Sequence, residues 1–118
     1  MTNLITIKNK IKNFNKSISV SGDKSLSIRW VLFSSMVKGK STAFNLLLSE
    51  DVMAAINVVK KLGTKVKFYK NYCTIFGNGL DGYKYKKNIT INSKNSGTLG
   101  RLIMGLLIDT PHKIKIIG

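Results

Sequence analysis

The chain has 118 residues, 43% of them hydrophobic, so it is long enough for one packed domain and too short for two ordinary ones. Its 20 lysines and arginines stand against 5 acidic residues, and the net charge of +15 predicts an anionic partner: nucleic acid, an acidic lipid surface or small phosphorylated metabolites. The single cysteine excludes an internal disulfide, and no apolar run is long enough to cross a membrane.

Two features of the sequence limit what the charge implies. The lysines are scattered, and lysine, asparagine and isoleucine are abundant throughout the chain, so the bias of an AT-rich genome is an equally good explanation of the charge. The N-terminal residues lack the continuous apolar segment of a signal peptide. We therefore expect a soluble protein of the cytoplasm.

The first half of the chain predicts three strands and a helix. Residues 4–8 and 17–21 alternate apolar and polar side chains, as half-buried strands do. A helix follows over residues 25–37, and its apolar residues fall on nearly every face, so we expect it to be buried all round. One apolar stripe along it consists of Leu26, Trp30, Phe33 and Val37. Residues 41–48 then predict another strand.

The next helix carries the clearest boundary signals in the sequence. Ser49 is a suitable N-cap, and Gly63 is a suitable residue to end the helix. Two acidic residues follow the cap and two lysines precede the end, as the helix dipole favours. These four residues are Glu50, Asp51, Lys60 and Lys61.

The last part of the chain predicts a hairpin followed by a strand, a helix and a strand. Residues 65–69 and 72–76 are the hairpin strands, separated by two residues. A short strand is expected at 88–92, a loop leading into a helix at 93–108, and a final strand at 113–117. Helices that alternate with strands place the chain in the α/β or α+β class, with a faint repeat of βαβ-like units.

A first chemical motif, GDKSLSIR, opens the helix at 25–37. Gly22 permits a sharp turn, and the N–H groups of a first helical turn attract anions. Ser25 and Arg29 share one helix face, with Lys24 beside them, so a hydroxyl, a guanidinium and an ammonium can converge on a phosphate or carboxylate. A capped helix with solvated charges accounts for the same residues, and the sequence leaves both readings open.

A second motif, NSGTLGR, repeats this arrangement. Asn95 or Ser96 can cap the helix, and Gly97 lets a ligand approach the backbone. Thr98 and Arg101 lie three residues apart on one face. The alternative is again a plain cap, with glycines that permit tight packing.

Four segments in order carry a resemblance to a known family. They are GDKSLSIR (22–29), NLLLSEDV (45–52), LG (62–63) and NSGTLGR (95–101). The chain resembles the N-terminal part of the 5-enolpyruvylshikimate-3-phosphate synthases from about residue 4 to its end. Leu102 departs from the family pattern, which has proline there, and this bears on inhibitor sensitivity.

The resemblance implies a fold and a domain organisation. Members of this family have two domains, each an inside-out α/β barrel built from βαβαββ units, with the active site in the cleft between them. Residues 1–20 would belong to one domain, and residues 21–118 to about one and a half units of the other. The chain is thus expected to be an incomplete N-terminal fragment whose partner is the missing C-terminal portion, in cis or in trans.

The resemblance also implies an activity. The enolpyruvyl group of phosphoenolpyruvate would be transferred to the 5-hydroxyl of shikimate 3-phosphate, with release of phosphate, in aromatic amino acid biosynthesis and without metal or cofactor. The implied groups are Lys24, Ser25 and Arg29 for shikimate 3-phosphate, Lys24, Asn95 and Gly97 for phosphoenolpyruvate, and Thr98 and Arg101 as a supporting anion site. Lys24 is the implied catalytic residue. Glyphosate, the inhibitor of the family, would occupy the phosphoenolpyruvate space.

Several alternatives to this assignment remain. The related enzyme that acts on UDP-N-acetylglucosamine differs at both motifs, and a purely structural fragment would bind no ligand. A nucleic-acid-binding domain is suggested by the charge and by tyrosines among lysines, although we expect neither nucleic acid nor membrane as a partner. We expect Cys73 to be a small apolar residue of the hairpin and His112 to have a surface or packing role.

Overall fold

The computed structural model describes residues 6, 8, 10, 12, 13 and 15–118. Within them the chain forms three α-helices and five β-strands. In chain order these are α1 Lys24–Met36, β1 Lys38–Phe44, α2 Glu50–Lys61, β2 Lys65–Phe68, β3 Tyr72–Asn78, β4 Thr90–Asn92, α3 Gly97–Leu106 and β5 Lys115–Ile117. No helix among the described residues is both long and apolar enough to span a bilayer.

The strands form two sheets. The first is antiparallel with the order β1-β3-β2, and the second is a parallel pair of β4 and β5. The predicted hairpin is confirmed: β2 and β3 are joined by a tight turn in which the Tyr69 N–H donates to the Tyr72 carbonyl at 2.8 Å. The helix between β4 and β5 makes the βαβ unit that the sequence suggests.

The core lies where the helices pack on one another and on β3. Helix α1 contacts α2, α3 and the first sheet, so it is the central element of the described chain. Apolar side chains from every layer are fully buried there and exclude water from the contacts. The largest of them are Ile28, Leu32, Ile56, Leu62, Ile75, Ile91, Leu99 and Ile103.

The boundaries predicted for α2 are confirmed. The Ser49 hydroxyl accepts a hydrogen bond from the Val52 N–H at 3.4 Å, as an N-cap does. At the other end Gly63 has φ of +91°, and its N–H donates to the Lys60 carbonyl at 3.0 Å. A left-handed glycine after the last turn is the usual way to end a helix.

The prediction that α1 is buried all round is wrong. One face is buried against α2, α3 and β3, but the opposite stripe is open: Leu26 is 64% and Phe33 is 55% exposed. Val37, the helix C-cap, continues this stripe and is also exposed. The apolar pattern identifies residues suited to burial, whereas actual burial depends on which elements pack against each face.

The strand predicted over residues 41–48 is placed too far along the chain. Strand β1 covers Lys38–Phe44 because it pairs with β3 along its whole length, from Lys38 opposite Asn78 to Phe44 opposite Tyr72. Asn45 has φ of +57°, a left-handed conformation that ends the strand. The apolar residues after Asn45 therefore follow the strand and do not extend it.

The strand predicted over residues 17–21 is absent from the described chain, and residues 4, 5 and 7 of the other N-terminal strand lie outside the described residues. Alternating side chains make a strand only where a neighbour supplies backbone hydrogen bonds, and here Val20 is exposed and its carbonyl accepts a hydrogen bond from the Asn45 side chain. The assignment of residues 1–20 to a second domain stays a prediction.

Helices α1, α2 and α3 begin at the same end of the molecule. The Lys24 Nζ and the Asp51 carboxylate are 3.1 Å apart, which brings together the first turns of α1 and α2. At the opposite end, Met36 and Leu106 line one cavity, so α1 and α3 finish side by side. Since α1 and α3 also contact each other, their N-termini point the same way.

Strand β4 gives the same orientation independently. It starts beside the end of α2, where the Lys61 ammonium donates to the Thr90 carbonyl. From there β4 packs along α2, and residues 90–92 line one cavity with α2 residues between Ala54 and Lys61. Strand β4 thus runs back along α2 and delivers the chain to the beginning of α3 at the shared end.

Candidate anion-binding site

Two groups of predicted residues lie at this shared end. We call Lys24, Ser25 and Arg29 the α1 cluster, and Asn95, Gly97, Thr98 and Arg101 the α3 cluster. The positive ends of the α1 and α3 dipoles lie there too, and each helix leaves N–H groups of its first turn without a backbone partner. The shared end therefore has the electrostatics of an anion site.

The cap of α1 is Asp23, which is not among the residues predicted from the sequence. Its Oδ1 accepts a hydrogen bond from the Leu26 N–H at 2.7 Å. An acidic residue directly before the first helical residue is a common capping signal, and it predicts this role. Asp23 uses up one donor of the first turn, so an anion must use the remaining N–H groups and the cluster side chains.

The α1 N-terminus is fixed to the segment after β1. A Cβ on Gly22 would lie 2.5 Å from the Asn45 carbonyl oxygen and 2.7 Å from the Leu47 nitrogen, so the two backbones approach too closely for any side chain. The buried Ser27 hydroxyl accepts a hydrogen bond from the Leu47 N–H at 3.2 Å. Gly22 is needed for this close approach more than for the turn itself.

Lys24 makes the one ion pair found among the described residues. Its ammonium is 3.1 Å from the Asp51 Oδ2, and the two side chains are 55% and 18% exposed. The sequence assigned Asp51 only to the dipole of α2. The contact joins residues on different helices, so no spacing along one helix predicts it.

The other members of the α1 cluster lie on one face of the helix. Arg29 is exposed and Ser25 is half-buried, one turn apart. Arg29 thus presents a planar guanidinium to solvent beside a hydroxyl donor. Such a pair suits the oxygens of a phosphate or carboxylate.

The cap of α3 is Ser96, one of the two candidates. Its hydroxyl accepts a hydrogen bond from the Leu99 N–H at 3.2 Å, and the residue is only 4% exposed. Asn95 is exposed and leaves its amide available at the helix start. Gly97 is also exposed, and the nearest atom to a Cβ there would be an Arg101 guanidinium nitrogen, 3.3 Å away.

Three cavities among the described residues, of about 780, 520 and 310 Å³, are lined by no residue of either cluster. The cavity of about 780 Å³ lies at the opposite end, where α1 and α3 finish. Its lining mixes acidic and basic side chains, Asp81 and Asp109 with Lys84, so it lacks the excess of cationic groups that an anion site needs. The open surface at the helix N-termini, where helix dipoles and cationic side chains coincide, is therefore the better candidate for an anion site.

The remaining two predicted roles concern Cys73 and His112, and both are confirmed. Cys73 is buried in β3, and burial raises the pKa of its thiol above the ordinary value while the nearby Lys60 lowers it. The His112 ring packs edge-on against Tyr85 with centroids 5.7 Å apart. Among the described residues no group of three or more side chains is arranged to hold a metal ion.

An α/β fold with basic and hydroxyl groups at two helix N-termini has features that suit an anion-binding protein. The family model for EPSP synthase (3-phosphoshikimate 1-carboxyvinyltransferase) matches residues 8–118. The chain belongs to the EPSP synthase family, and the resemblance identified from the sequence motifs is confirmed.

Curated relatives agree with this assignment. The chain is 39% identical over 107 residues to the 3-phosphoshikimate 1-carboxyvinyltransferase of Bacillus cytotoxicus, covering 91% of this chain and 25% of the relative. It is 38% identical over 101 residues to the protein of the same name in Leuconostoc mesenteroides, covering 86% of this chain and 23% of the relative. The chain thus spans about a quarter of the length of these relatives.

Solved structures give the same fold. One EPSP synthase structure from Acinetobacter baumannii matches with a TM-score of 0.69 and 32% identity, over 76% of this chain and 20% of that one. A second structure of the enzyme from that organism matches with a TM-score of 0.71 and 29% identity, over 84% of this chain and 23% of that one. The predicted α/β class, as an incomplete part of the enolpyruvyl transferase fold, is confirmed.

Proposed function

We propose that the α1 and α3 clusters bind shikimate 3-phosphate and phosphoenolpyruvate as part of a 3-phosphoshikimate 1-carboxyvinyltransferase. The observation that carries the proposal is the family match over residues 8–118, which includes both clusters, together with their position at one end of the fold. Both substrates are polyanions, and the shared end combines helix dipoles with ammonium and guanidinium groups. The net positive charge of the chain would then favour the binding of both substrates.

The α1 cluster is assigned to shikimate 3-phosphate. The Arg29 guanidinium offers paired N–H donors to two phosphate oxygens, and the Ser25 hydroxyl offers a third donor on the same helix face. Lys24 is assigned a place between the two substrates, because its ammonium is a compact charge on a long stem and can serve both anions.

The α3 cluster is assigned to phosphoenolpyruvate. The exposed backbone at Gly97 allows close approach to the first turn of α3, and the Asn95 amide supplies a further donor. Arg101 lies one turn further on, with Thr98 beside it, and both add to the local field. Glyphosate would bind in this same space.

The reaction assigned to the complete enzyme is an addition followed by an elimination. The 5-hydroxyl gives up its proton to a base and its oxygen bonds to C2 of phosphoenolpyruvate, while an acid delivers a proton to C3. The adduct then loses phosphate from C2 and a proton from C3, which restores the double bond. Both steps need positioned cations and proton donors. Lys24 is the catalytic residue of these clusters, since its ammonium can stabilise the negative charge on the phosphate group as it leaves.

The other three quarters of the relatives' length has no counterpart in these 118 residues. We infer that the remaining acid, base and arginine groups come from a C-terminal portion, in cis or in trans. A turnover assay of the 118-residue protein should therefore show no normal activity. Family membership and a buried free cysteine fit a cytoplasmic location.

Nuclear magnetic resonance tests the proposed site directly. Titration with shikimate 3-phosphate at millimolar concentrations should shift the amide signals at the start of α1, and phosphoenolpyruvate should then shift those at the start of α3. Arg29→Ala should weaken the first response, whereas Lys87→Ala, which removes an exposed lysine from a loop, should not. Shifts spread evenly over the lysine surface, or none at all, would contradict the proposal.

A basic nucleic-acid-binding domain is the second candidate. The net charge of +15 favours it, as do the stacked rings of Tyr69 and Tyr72, whose centroids are 4.4 Å apart. We propose instead that nucleic acid is not a partner, because the family assignment accounts for both clusters. Tight binding of a single-stranded oligonucleotide at physiological salt would reverse this choice.

A further inference from the structure

The ion pair between Lys24 and Asp51 places a carboxylate inside an anion-binding region. The chain has only 5 acidic residues, and this one lies 3.1 Å from the ammonium assigned to both substrates. A negative charge at this position repels an incoming phosphate. Electrostatics alone therefore predicts that Asp51 weakens substrate binding.

The geometry of the pair suggests a compensating benefit. Asp51 lies in the first turn of α2, where the cap at Ser49 and the helix dipole hold it in place, and its side chain is only 18% exposed. Lys24 is more exposed and has a long stem that samples many rotamers when nothing holds it. The fixed carboxylate thus restrains a mobile ammonium.

We propose that Asp51 is a positioning residue that holds the Lys24 ammonium at the shared end of α1 and α3. An ammonium has three N–H donors, so a bond to Asp51 leaves two for substrate oxygens. Restraint before binding reduces the entropy that the lysine loses when the substrates arrive. This inference rests on the proposed function, because it concerns the orientation of the same substrate-binding lysine.

The proposal predicts an effect opposite in sign to simple electrostatics. Asp51→Asn removes a negative charge beside the anion site and would strengthen binding if charge alone mattered. If Asp51 positions Lys24, the same change weakens shikimate 3-phosphate binding by about three- to fivefold, the size expected for an exposed ion pair. The sign of the change therefore decides between the two accounts.

The neighbouring Glu50 supplies a matched control. It lies in the same first turn of α2 and carries the same charge, but it is not paired with Lys24. Glu50→Gln should leave shikimate 3-phosphate binding unchanged or slightly tighter. Asp51→Glu, which keeps the carboxylate, should restore most of the affinity that Asp51→Asn loses.

The experiment is a calorimetric or resonance titration of the four proteins with shikimate 3-phosphate, with ¹³C relaxation of the Lys24 side chain measured without ligand. Asp51→Asn should make the Lys24 Cε more mobile, and Glu50→Gln should not. Equal or tighter binding by Asp51→Asn, or unchanged Lys24 mobility, would overturn the positioning role. Failure of the wild-type chain to respond to shikimate 3-phosphate would instead count against the proposed function, and the ligand-free relaxation would still test Asp51.

Discussion

The α1 and α3 clusters both combine a capped helix N-terminus with an arginine in the second turn, but they are held in different ways. The α1 cluster has an exposed, charged cap, Asp23, and a second carboxylate, Asp51, on its lysine. The α3 cluster has a buried, neutral cap, Ser96. A Cβ on Gly97 would meet only the end of the Arg101 side chain.

The difference shows that similar motifs can balance charge in different ways. Around α1 the two carboxylates offset the two cations, so an anion gains from donor geometry more than from net charge. Around α3 the cap is neutral and the dipole of the helix is uncompensated by an acidic first turn. We expect the α1 cluster to be the more selective and the α3 cluster to bind small anions more generally.

The largest expected effect comes from the two glycines that precede or begin these helices. Gly22→Ala should lower the free energy of unfolding by about 1–3 kcal/mol, because its Cβ meets the fixed backbone of Asn45 and Leu47. Gly97→Ala should change it by less than about 0.5 kcal/mol, since only the flexible end of Arg101 must move. Urea unfolding of both variants measures the contrast, and equal losses would mean that the two N-termini are held alike.

The two caps should differ in the same experiment by a smaller amount. Ser96→Ala leaves the Leu99 N–H buried without a partner and should cost about 1–2 kcal/mol. Asp23→Ala exposes the Leu26 N–H to water, which replaces the lost bond, and should cost about 0.5–1 kcal/mol. A larger loss for Asp23→Ala would show that its charge matters more for stability than the burial of Ser96.

The parts of this fold that sequence predicts are those fixed by local chemistry. Ser49, Gly63 and the charges between them set the bounds of α2 through hydrogen bonds and dipole interactions within a few residues. The hairpin turn after Tyr69 is local in the same way. Both motifs of the candidate site are predictable because the spacing of side chains on one helix face is visible in the chain itself, and in α3 the capping residue is visible too.

The parts that sequence did not predict depend on neighbours distant in the chain. The length of β1 is set by its pairing with β3, and the exposed stripe of α1 is set by which elements contact that helix. The pair of Lys24 and Asp51 joins two helices, so no local pattern contains it. The same holds for Gly22, whose close contact is with the segment after β1.

The ion pair itself should contribute little to stability. Both partners are partly exposed, and exposed pairs are worth about 0–1 kcal/mol because solvent screens them. Lys24→Met should therefore change the free energy of unfolding by less than about 1 kcal/mol while abolishing the response to shikimate 3-phosphate. Circular dichroism melts and a titration on the same sample compare the two effects, and a large loss of stability would show that the pair serves the fold.

The smallest predicted effect is a loss of stability at alkaline pH, and it should arise from Tyr83 at the other end of α1. Burial raises the pKa of the Tyr83 hydroxyl, and a hydrogen bond with Ser35 at 2.7 Å lowers it in part. Because the folded state holds this proton more tightly than the unfolded chain, the resulting stability is fully present below the ordinary value of 10.0 and is lost as pH rises through the higher folded value. Cys73 behaves alike above its ordinary value of 9.0.

Urea unfolding from neutral to alkaline pH measures this loss as the difference between the wild-type chain and Tyr83→Phe. The difference between the two proteins removes the contributions that all other groups of the chain make equally to both. Tyr83→Phe should remove part of the alkaline decline, and at neutral pH it should leave the response to shikimate 3-phosphate at the shared end of the helices unchanged. An alkaline decline of the same size in the variant would show that Tyr83 does not cause it, and would leave the thiol of Cys73 as the group to replace next.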